Sequence, residues 1–343
     1  MSWGAVRRLL CVRLDSIGDV LMTTPAIRAC RETFGCRVTL LASSAGASVA
    51  PLVPEIDASI PFAAPWMKPA TASDDQATIR RLRAERFDAA VIFTVYSQSP
   101  LPAAYLCYLA GIPLRLAHCH ENPYQLLSDW VADPEPASLV RHEVRRQLDL
   151  VGTVGARTDN ERLSFSVPET ARATVRALFP GRAKPLVVVH PGASAASRRY
   201  PAEQFARATD LVIEETGAQA VFTGDVGEQE LVRDVQARMT RASLSLVGRL
   251  DLAGLGALIE EADLLICNNT GPAHIAAAVG TPVVDLYALT NPQHTPWRVE
   301  SRVLFHDVPC RNCYKSVCPA GHHDCLKRVS PEAVAAAAGE LLQ

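Results

Sequence analysis

Three absences bound this chain of 343 residues. No run approaches the roughly 18 to 20 unbroken apolar residues that a membrane span requires, and the longest candidate, Leu101 to Leu116, is broken by prolines and by Arg115. No charge of one sign dominates: 34 Lys and Arg stand against 36 Asp and Glu, a net charge of −2. That balance argues against nucleic acid as the main partner, so any anion must be met by local groups. No G-x-G-x-x-G occurs, the nearest approach being Gly254-Leu255-Gly256 without a third glycine, which argues against a nicotinamide dehydrogenase. The N-terminal MSWGAVRRLLCVRLD carries arginines and a short apolar stretch, but Arg13 and Asp15 interrupt it and no small-residue cleavage site follows. It fails as a signal peptide, and the expected location is the cytoplasm.

What is present reads as a folded globular protein, with 48% hydrophobic and 20% charged residues. The length suggests two domains. Ten cysteines are too sparse for a disulfide scaffold, and Cys11, Cys30, Cys36, Cys107 and Cys267 lie in or near apolar elements, where they read as buried thiols.

Short apolar runs alternate with longer helix-patterned segments almost from end to end, the pattern of parallel sheets with crossover helices. In the first half, strands are predicted at Leu9 to Leu14, Arg37 to Leu41, Ala58 to Pro61 and Ala89 to Thr94. Helices are predicted at Asp19 to Phe34, Asp74 to Arg86, Leu101 to Ala110 and Arg141 to Val151. A Pro-bounded segment with a short helix, Thr170 to Leu178, precedes a restart of the pattern. Strands then fall at Leu186 to His190, Gln219 to Thr223, Ser243 to Val247, Asp263 to Cys267 and Pro282 to Tyr287. Helices fall at Ala202 to Thr216, Glu228 to Met239, Leu252 to Ala262, Ala273 to Val279 and Pro331 to Leu342. The architecture this predicts is two doubly wound α/β domains, residues 1–166 and 185–330, with a linker over 167–184 and a C-terminal helix over 331–343. A ligand is expected in a cleft facing the carboxyl ends of both sheets.

Four motifs carry the chemistry. Asn268-Asn269-Thr270-Gly271-Pro272-Ala273-His274 joins an apolar strand to an Ala-rich helix. The free N–H groups of that helix start suit a phosphate, with Thr270 as cap, Gly271 allowing close approach and Pro272 in the first turn. His274 is structural or aims at the same ligand, and its neighbours favour the ligand. Asp15-Ser16-Ile17-Gly18-Asp19 is a second strand–turn–helix junction. Its Ser16-x-x-Asp19 spacing fits a capping box, and Asp19 equally suits a general base at a sheet's carboxyl edge; the two readings are compatible. His190-Pro191-Gly192-Ala193-Ser194, followed by Ser197-Arg198-Arg199, offers hydroxyl and guanidinium groups to a diphosphate, or is a solvated loop. Thr223-Gly224-Asp225-Val226-Gly227-Glu228 ends in a carboxylate for ribose or sugar hydroxyls, or in a first-turn helix carboxylate.

Taken together, VRLDSIGDVLMTTPAIRA, HPGASAASRRYPAEQFA, FTGDVGEQELV and CNNTGPAHIAAAVGTPVV resemble, in order, the motifs of glycosyltransferase family 9, the ADP-heptose:lipopolysaccharide heptosyltransferases. The resemblance implies a GT-B fold of two Rossmann-like domains, with acceptor held by the first and donor by the second. It also implies inversion at the anomeric carbon with no obligatory metal or cofactor. Asp19 matches the catalytic base. Arg198, Glu228, Asn269, Thr270, Gly271 and His274 match donor-binding positions, and Gly18, Gly192 and Ser194 in the same motifs are expected to bind the donor with them. Three positions depart from the family: Arg198 stands for a lysine, Tyr200 for a tryptophan, and Asn269 for an acidic residue near the donor. The implied partners are a nucleotide sugar, ADP-heptose first, and a glycolipid or glycan acceptor. Arg115, His118, Arg141, His142, Arg145 and Arg146 would meet acceptor phosphates, or form a solvated helix face. Peripheral contact with the inner face of the membrane through Leu101 to Leu109 is a further expectation. Another donor or acceptor, or a binding protein without transfer, are the alternatives.

The tail CRNCYKSVCPAGHHDCLKRVSPEAV also looks like that of many members, heptosyltransferase II especially. Its Cys310, Cys313, Cys318 and Cys325, with His322 and His323, would hold zinc, form a local disulfide or stay as thiols.

Overall fold

The computed structural model describes residues 2–67, 75–182 and 184–343. The chain divides into two compact units, Met1–Ser164 and Phe165–Gln343. In the first, β1 (Arg8–Arg13), β2 (Arg37–Ala42), β3 (Ala58–Pro61), β4 (Ala89–Ile92), β5 (Leu114–Cys119) and β6 (Asp129–Ala132) form one sheet. Its order is β3-β2-β1-β4-β5-β6 and every pairing is parallel. Helices α1 (Ile17–Phe34), α2 (Ser44–Ala47), α3 (Asp75–Glu85) and α4 (Leu101–Leu109) connect the strands, and α5 (Glu143–Gly152) follows β6. Asp74, the expected start of α3, lies outside the described residues.

The second unit repeats the plan. It contains α6 (Glu169–Arg176), β7 (Leu186–His190), α7 (Ala202–Thr216), β8 (Gln219–Phe222), α8 (Gln229–Arg238) and β9 (Leu244–Ser245). These are followed by α9 (Leu252–Glu261), β10 (Leu264–Asn268), α10 (Gly271–Val279), β11 (Val283–Leu286), β12 (Ser301–Leu304), α11 (Asp324–Lys327) and α12 (Pro331–Leu341). The strand order is β12-β11-β10-β7-β8-β9, again parallel throughout. Both orders are 3-2-1-4-5-6 within their unit, the doubly wound pattern whose ligands bind where the order reverses. Those points are β1 beside β4 and β7 beside β10, and the fold class is GT-B.

The central strands are apolar because helices cover both faces of the sheet. All five residues of β7 and of β10 are buried. Pro25 inside α1 removes the N–H that would bond the Leu21 carbonyl, and the Thr24 hydroxyl donates to that carbonyl instead at 2.6 Å. The helix therefore crosses its proline without an orphaned acceptor. Segment 167–184, expected as a linker, contributes α6, which packs on α9 and holds Glu260 through Arg172 at 2.6 Å. Helix α12 packs on α7, burying Val334, Ala335 and Leu341 in the second unit's core.

Strands β5, β6 and β12 were not expected from the sequence. Arg115 and His118 interrupt β5 with charge, yet both are buried. Arg115 donates to the carbonyls of Ile112, Pro113, Gln125 and Leu126. This corrects the expected phosphate-binding patch. Arg146 is buried against Asp133 at 2.6 Å and against Glu135, Arg141 pairs with Glu135 and Asp149 at 2.9 Å, and Arg145 pairs with Glu161 at 2.7 Å. Burial, with Arg146 beside it, lowers the His118 pKa to about 4. No helix among the described residues is long and apolar enough to cross a membrane.

Candidate functional site

Each unit places its motif at the point where its strand order reverses. In the first unit, β1 ends at Arg13 and the turn Leu14-Asp15-Ser16 leads into α1. The Asp19 carboxylate accepts from the Ser16 N–H at 3.1 Å and from its hydroxyl at 2.6 Å, so the carboxylate half of the capping box is formed. Its other oxygen accepts from Arg13 Nη2 at 3.1 Å. Asp15 lies 3.0 Å from Arg13 Nε and accepts from Gln98 Nε2 at 2.7 Å. Burial raises the Asp15 carboxyl to about 6, against the pull of Arg13. A cavity of about 280 Å³ opens beside Asp15, with Trp66, Phe93 and Pro102 as apolar walls and Ser97, Gln98 and Ser99 as polar ones. Gly18 is buried in the first turn of α1.

In the second unit, Asn268 ties the two central loops together. Its Oδ1 accepts from the Tyr200 N–H at 2.9 Å, and its Nδ2 donates to the Pro191 carbonyl at 2.7 Å. This holds the His190–Ser194 turn beside the Asn269–Gly271 turn, a role that its place at a strand end did not reveal. Tyr200 itself is buried, donates to the Val329 carbonyl at 2.7 Å and packs edge-on against Phe205.

Thr270 occupies the cap position of α10, but its hydroxyl donates back to the Asn268 carbonyl at 3.3 Å and does not cap the helix, contrary to expectation. The helix start is left without a side-chain cap, which keeps its partial positive charge available to an anion. Asn269 is buried, with Nδ2 donating to the His294 carbonyl at 2.8 Å and to Asp285 Oδ2 at 3.3 Å. Asp285, on β11, is fully buried, and burial raises its carboxyl to about 7. Sequence reasoning missed this carboxyl because its strand reads as core. His274 is buried in the first turns of α10.

Glu228 lies against Gly192. A side chain at Gly192 would bring its Cβ to 1.8 Å from Glu228 Oε1, so the Glu228 carboxylate takes the space that glycine leaves open. Glu228 also accepts from the Asp225 N–H at 3.0 Å, while Asp225 Oδ1 accepts from the Glu228 N–H at 3.1 Å. The capping reading of this residue is thereby met. Burial raises its pKa. His190, 3.7 Å from Glu228 and 3.0 Å from the Thr223 hydroxyl, is lowered by burial to about 4 and stays neutral.

Arg198 is half-buried in a single turn, Ala196–Arg198, next to exposed Ser194. That turn is braced by the cysteine-bearing tail: the Ser197 hydroxyl donates to the Lys315 carbonyl at 2.7 Å, the Ser197 N–H to Ser316, and His323 meets the Ser197 carbonyl at 2.7 Å. Cys310, Cys313, Cys318 and Cys325 are unpaired, half-buried thiols. Among the described residues no group of three or more His, Cys, Asp or Glu is arranged to hold a metal ion.

The fold and these two turns define a doubly wound two-unit protein with a carboxylate centre in one sheet and a candidate anion-binding helix start in the other. The model of glycosyltransferase family 9 (heptosyltransferase) matches residues 76–323, and the chain belongs to that family. It is 30% identical over 166 residues to lipooligosaccharide heptosyltransferase 2 of Campylobacter jejuni, covering 47% of this chain and 52% of the relative. The chain thus spans about half the length of the first curated relatives it matches. It is 25% identical to lipopolysaccharide heptosyltransferase 1 of Pseudomonas aeruginosa over 91% of this chain and 87% of that one. A solved family 9 glycosyl transferase from Veillonella parvula superposes with a TM-score of 0.82 at 23% identity, covering 100% of this chain and 98% of that one.

Proposed function

We propose that the protein is an inverting glycosyltransferase that moves heptose from ADP-heptose to a hydroxyl of the lipopolysaccharide core or a related cell-envelope glycan. The observation that carries this reading is the Asp19 carboxylate at the carboxyl end of β1, held by Arg13 and Ser16, in a chain of this family. Asp19 takes the acceptor hydroxyl proton as that oxygen bonds to the anomeric carbon, and the carbon–oxygen bond to the diphosphate breaks with its electron pair leaving on phosphate oxygen. The N-terminus of α10 and the Arg198 guanidinium stabilise that charge, so the route needs no metal. Glu228, seated on Gly192, receives the nucleoside hydroxyls, while Gly18, Ser194, Gly271 and His274 complete the donor surroundings. The cavity beside Asp15 suits an acceptor sugar ring, with apolar walls for its face and hydroxyl and amide groups for its edge. The work is placed in the cytoplasm, at the inner face of the membrane where a lipid-linked acceptor is presented.

A panel of ADP, UDP, GDP and their sugars, read by calorimetry and followed by a transfer assay, tests the reading. Selective binding of ADP and ADP-heptose with transfer to a truncated core oligosaccharide is expected; preference for another nucleotide overturns the donor. A second donor within the family is the competing reading, because Asn269 replaces an acidic residue and its amide is engaged by Asp285.

A further inference from the structure

Arg13 is fully buried, and its single guanidinium serves three carboxylates. Nε lies 3.0 Å from Asp15, Nη2 3.1 Å from Asp19 and Nη1 2.8 Å from Glu143. Glu143 opens α5, 130 positions further along the chain, and is itself fully buried. Its Oε1 also accepts from Gln147 Nε2 at 2.5 Å, and its Oε2 has no hydrogen-bond partner among the described residues. Arg13 brings one positive charge to three carboxylates, so by itself it leaves a fully ionised set with surplus negative charge.

A general base at this place has a difficulty. The start of α1 and the adjacent guanidinium both favour the ionised carboxylate and so weaken it as a base. The neighbouring anions act in the opposite sense, because each raises the cost of a further negative charge.

We propose that Glu143 and Asp15 are positioning residues for Asp19: by occupying two edges of the Arg13 guanidinium they fix its fork and keep it from fully neutralising the third carboxylate, which stays basic enough to accept a proton. This deepens the reading of Asp19 as the base and rests on it. The charged and titratable groups facing the cluster include Arg13 from β1, Asp15 from the turn, and Glu143 and Arg146 from α5. Arg146 is committed to Asp133 and Glu135, and beyond it lie His118 of β5 and Tyr96 after β4. Burial raises the Glu143 carboxyl, as it does Asp15, against the pull of Arg13.

The test is a pH titration of the protein with 13Cγ-labelled aspartate by NMR, using Asp19→Asn to assign the Asp19 signal. Removing one anion by Glu143→Gln or Asp15→Asn is expected to lower the Asp19 midpoint by about one pH unit. The acidic limb of kcat should move down with it, with kcat falling roughly three- to tenfold and the KM for the nucleotide sugar unchanged. Rigid packing alone would leave the midpoint where it was. If Glu143→Gln does not fold, Asp15→Asn, altered in the turn, carries the same expectation. A wild-type midpoint in the folded variants overturns the proposal. The NMR reading needs no substrate, so an Asp19 midpoint that shifts as expected in a protein that transfers no sugar would instead overturn the proposed function.

Discussion

The turns after β1 and after β10 each flank the point where the strand order reverses, one on the first strand of its unit and the other on the fourth, yet they are built from opposite chemistry. The first gathers Asp15, Asp19 and Glu143 around one buried arginine. The second is neutral at its centre: Asn268 and Asn269 spend their amides on backbone and on Asp285, His190 is uncharged, and a partial positive charge stands at the uncapped start of α10. A doubly wound sheet thus fixes where chemistry happens and leaves its sign to a few side chains. A surplus of carboxylates makes a place for a proton. An open helix start with Arg198 nearby makes a place for an anion.

The largest effect should come from removing the first turn's base. Asp19→Asn is expected to lower kcat by roughly 10²- to 10⁴-fold while calorimetry shows donor binding nearly unchanged, because the proposed function has the donor met mainly by the other unit. Equal loss of donor affinity would dissolve the division of labour. Next comes the cation of the neighbouring loop after β7. Arg198→Ala should raise the donor KM roughly 10- to 100-fold, with Lys recovering part of the loss, since it restores the charge but not the fork; steady-state kinetics on the three proteins check this.

A sharper probe converts the second turn toward the first. Asn269→Asp places a carboxylate beside buried Asp285, where only one of the two can readily ionise. Donor affinity should fall roughly tenfold, and the double variant Asn269→Asp, Asp285→Asn, which returns the acid to the loop and the amide to the strand, should recover most of it. Additive losses measured by calorimetry would mean that the two residues do not act as a unit.

The contrast between the turns was only half legible in the sequence. The parallel-sheet class followed from apolar runs at regular spacing, and Asp19, Gly192, Glu228 and Asn269 were singled out because each lies inside a short strand–turn–helix signature. Arg13, Glu143 and Asp285 were not, because their meaning depends on partners far away in sequence or on the next strand: Arg13 meets Glu143 across 130 positions, and Asp285 sits in a strand that otherwise reads as plain core. Strand β5 was hidden for the reverse reason. Arg115 reads as surface, but four backbone carbonyls absorb its guanidinium, so a charged residue is buried at little cost. Local rules also misplaced the Thr270 hydroxyl, which turned back to Asn268 and left the helix start open.

The smallest expected effect separates two opposed titrations in the second unit. His190, lowered to about 4, contributes stability that is present above its unfolded pKa near 6.5 and is lost as pH falls toward 4. Asp285, raised to about 7, contributes stability that is complete below its unfolded value near 3.9 and is lost as pH rises through 7. Over the shared window the two slopes offset, so this unit's stability should vary little with pH on their account. Asp285→Asn removes one slope and leaves the other. The melting temperature of the variant, relative to wild type, should therefore rise by a few degrees between pH 5 and pH 7. Parallel melting curves across that range would mean that the Asp285 carboxyl titrates at an ordinary value, and that the second turn is not backed by a neutral acid.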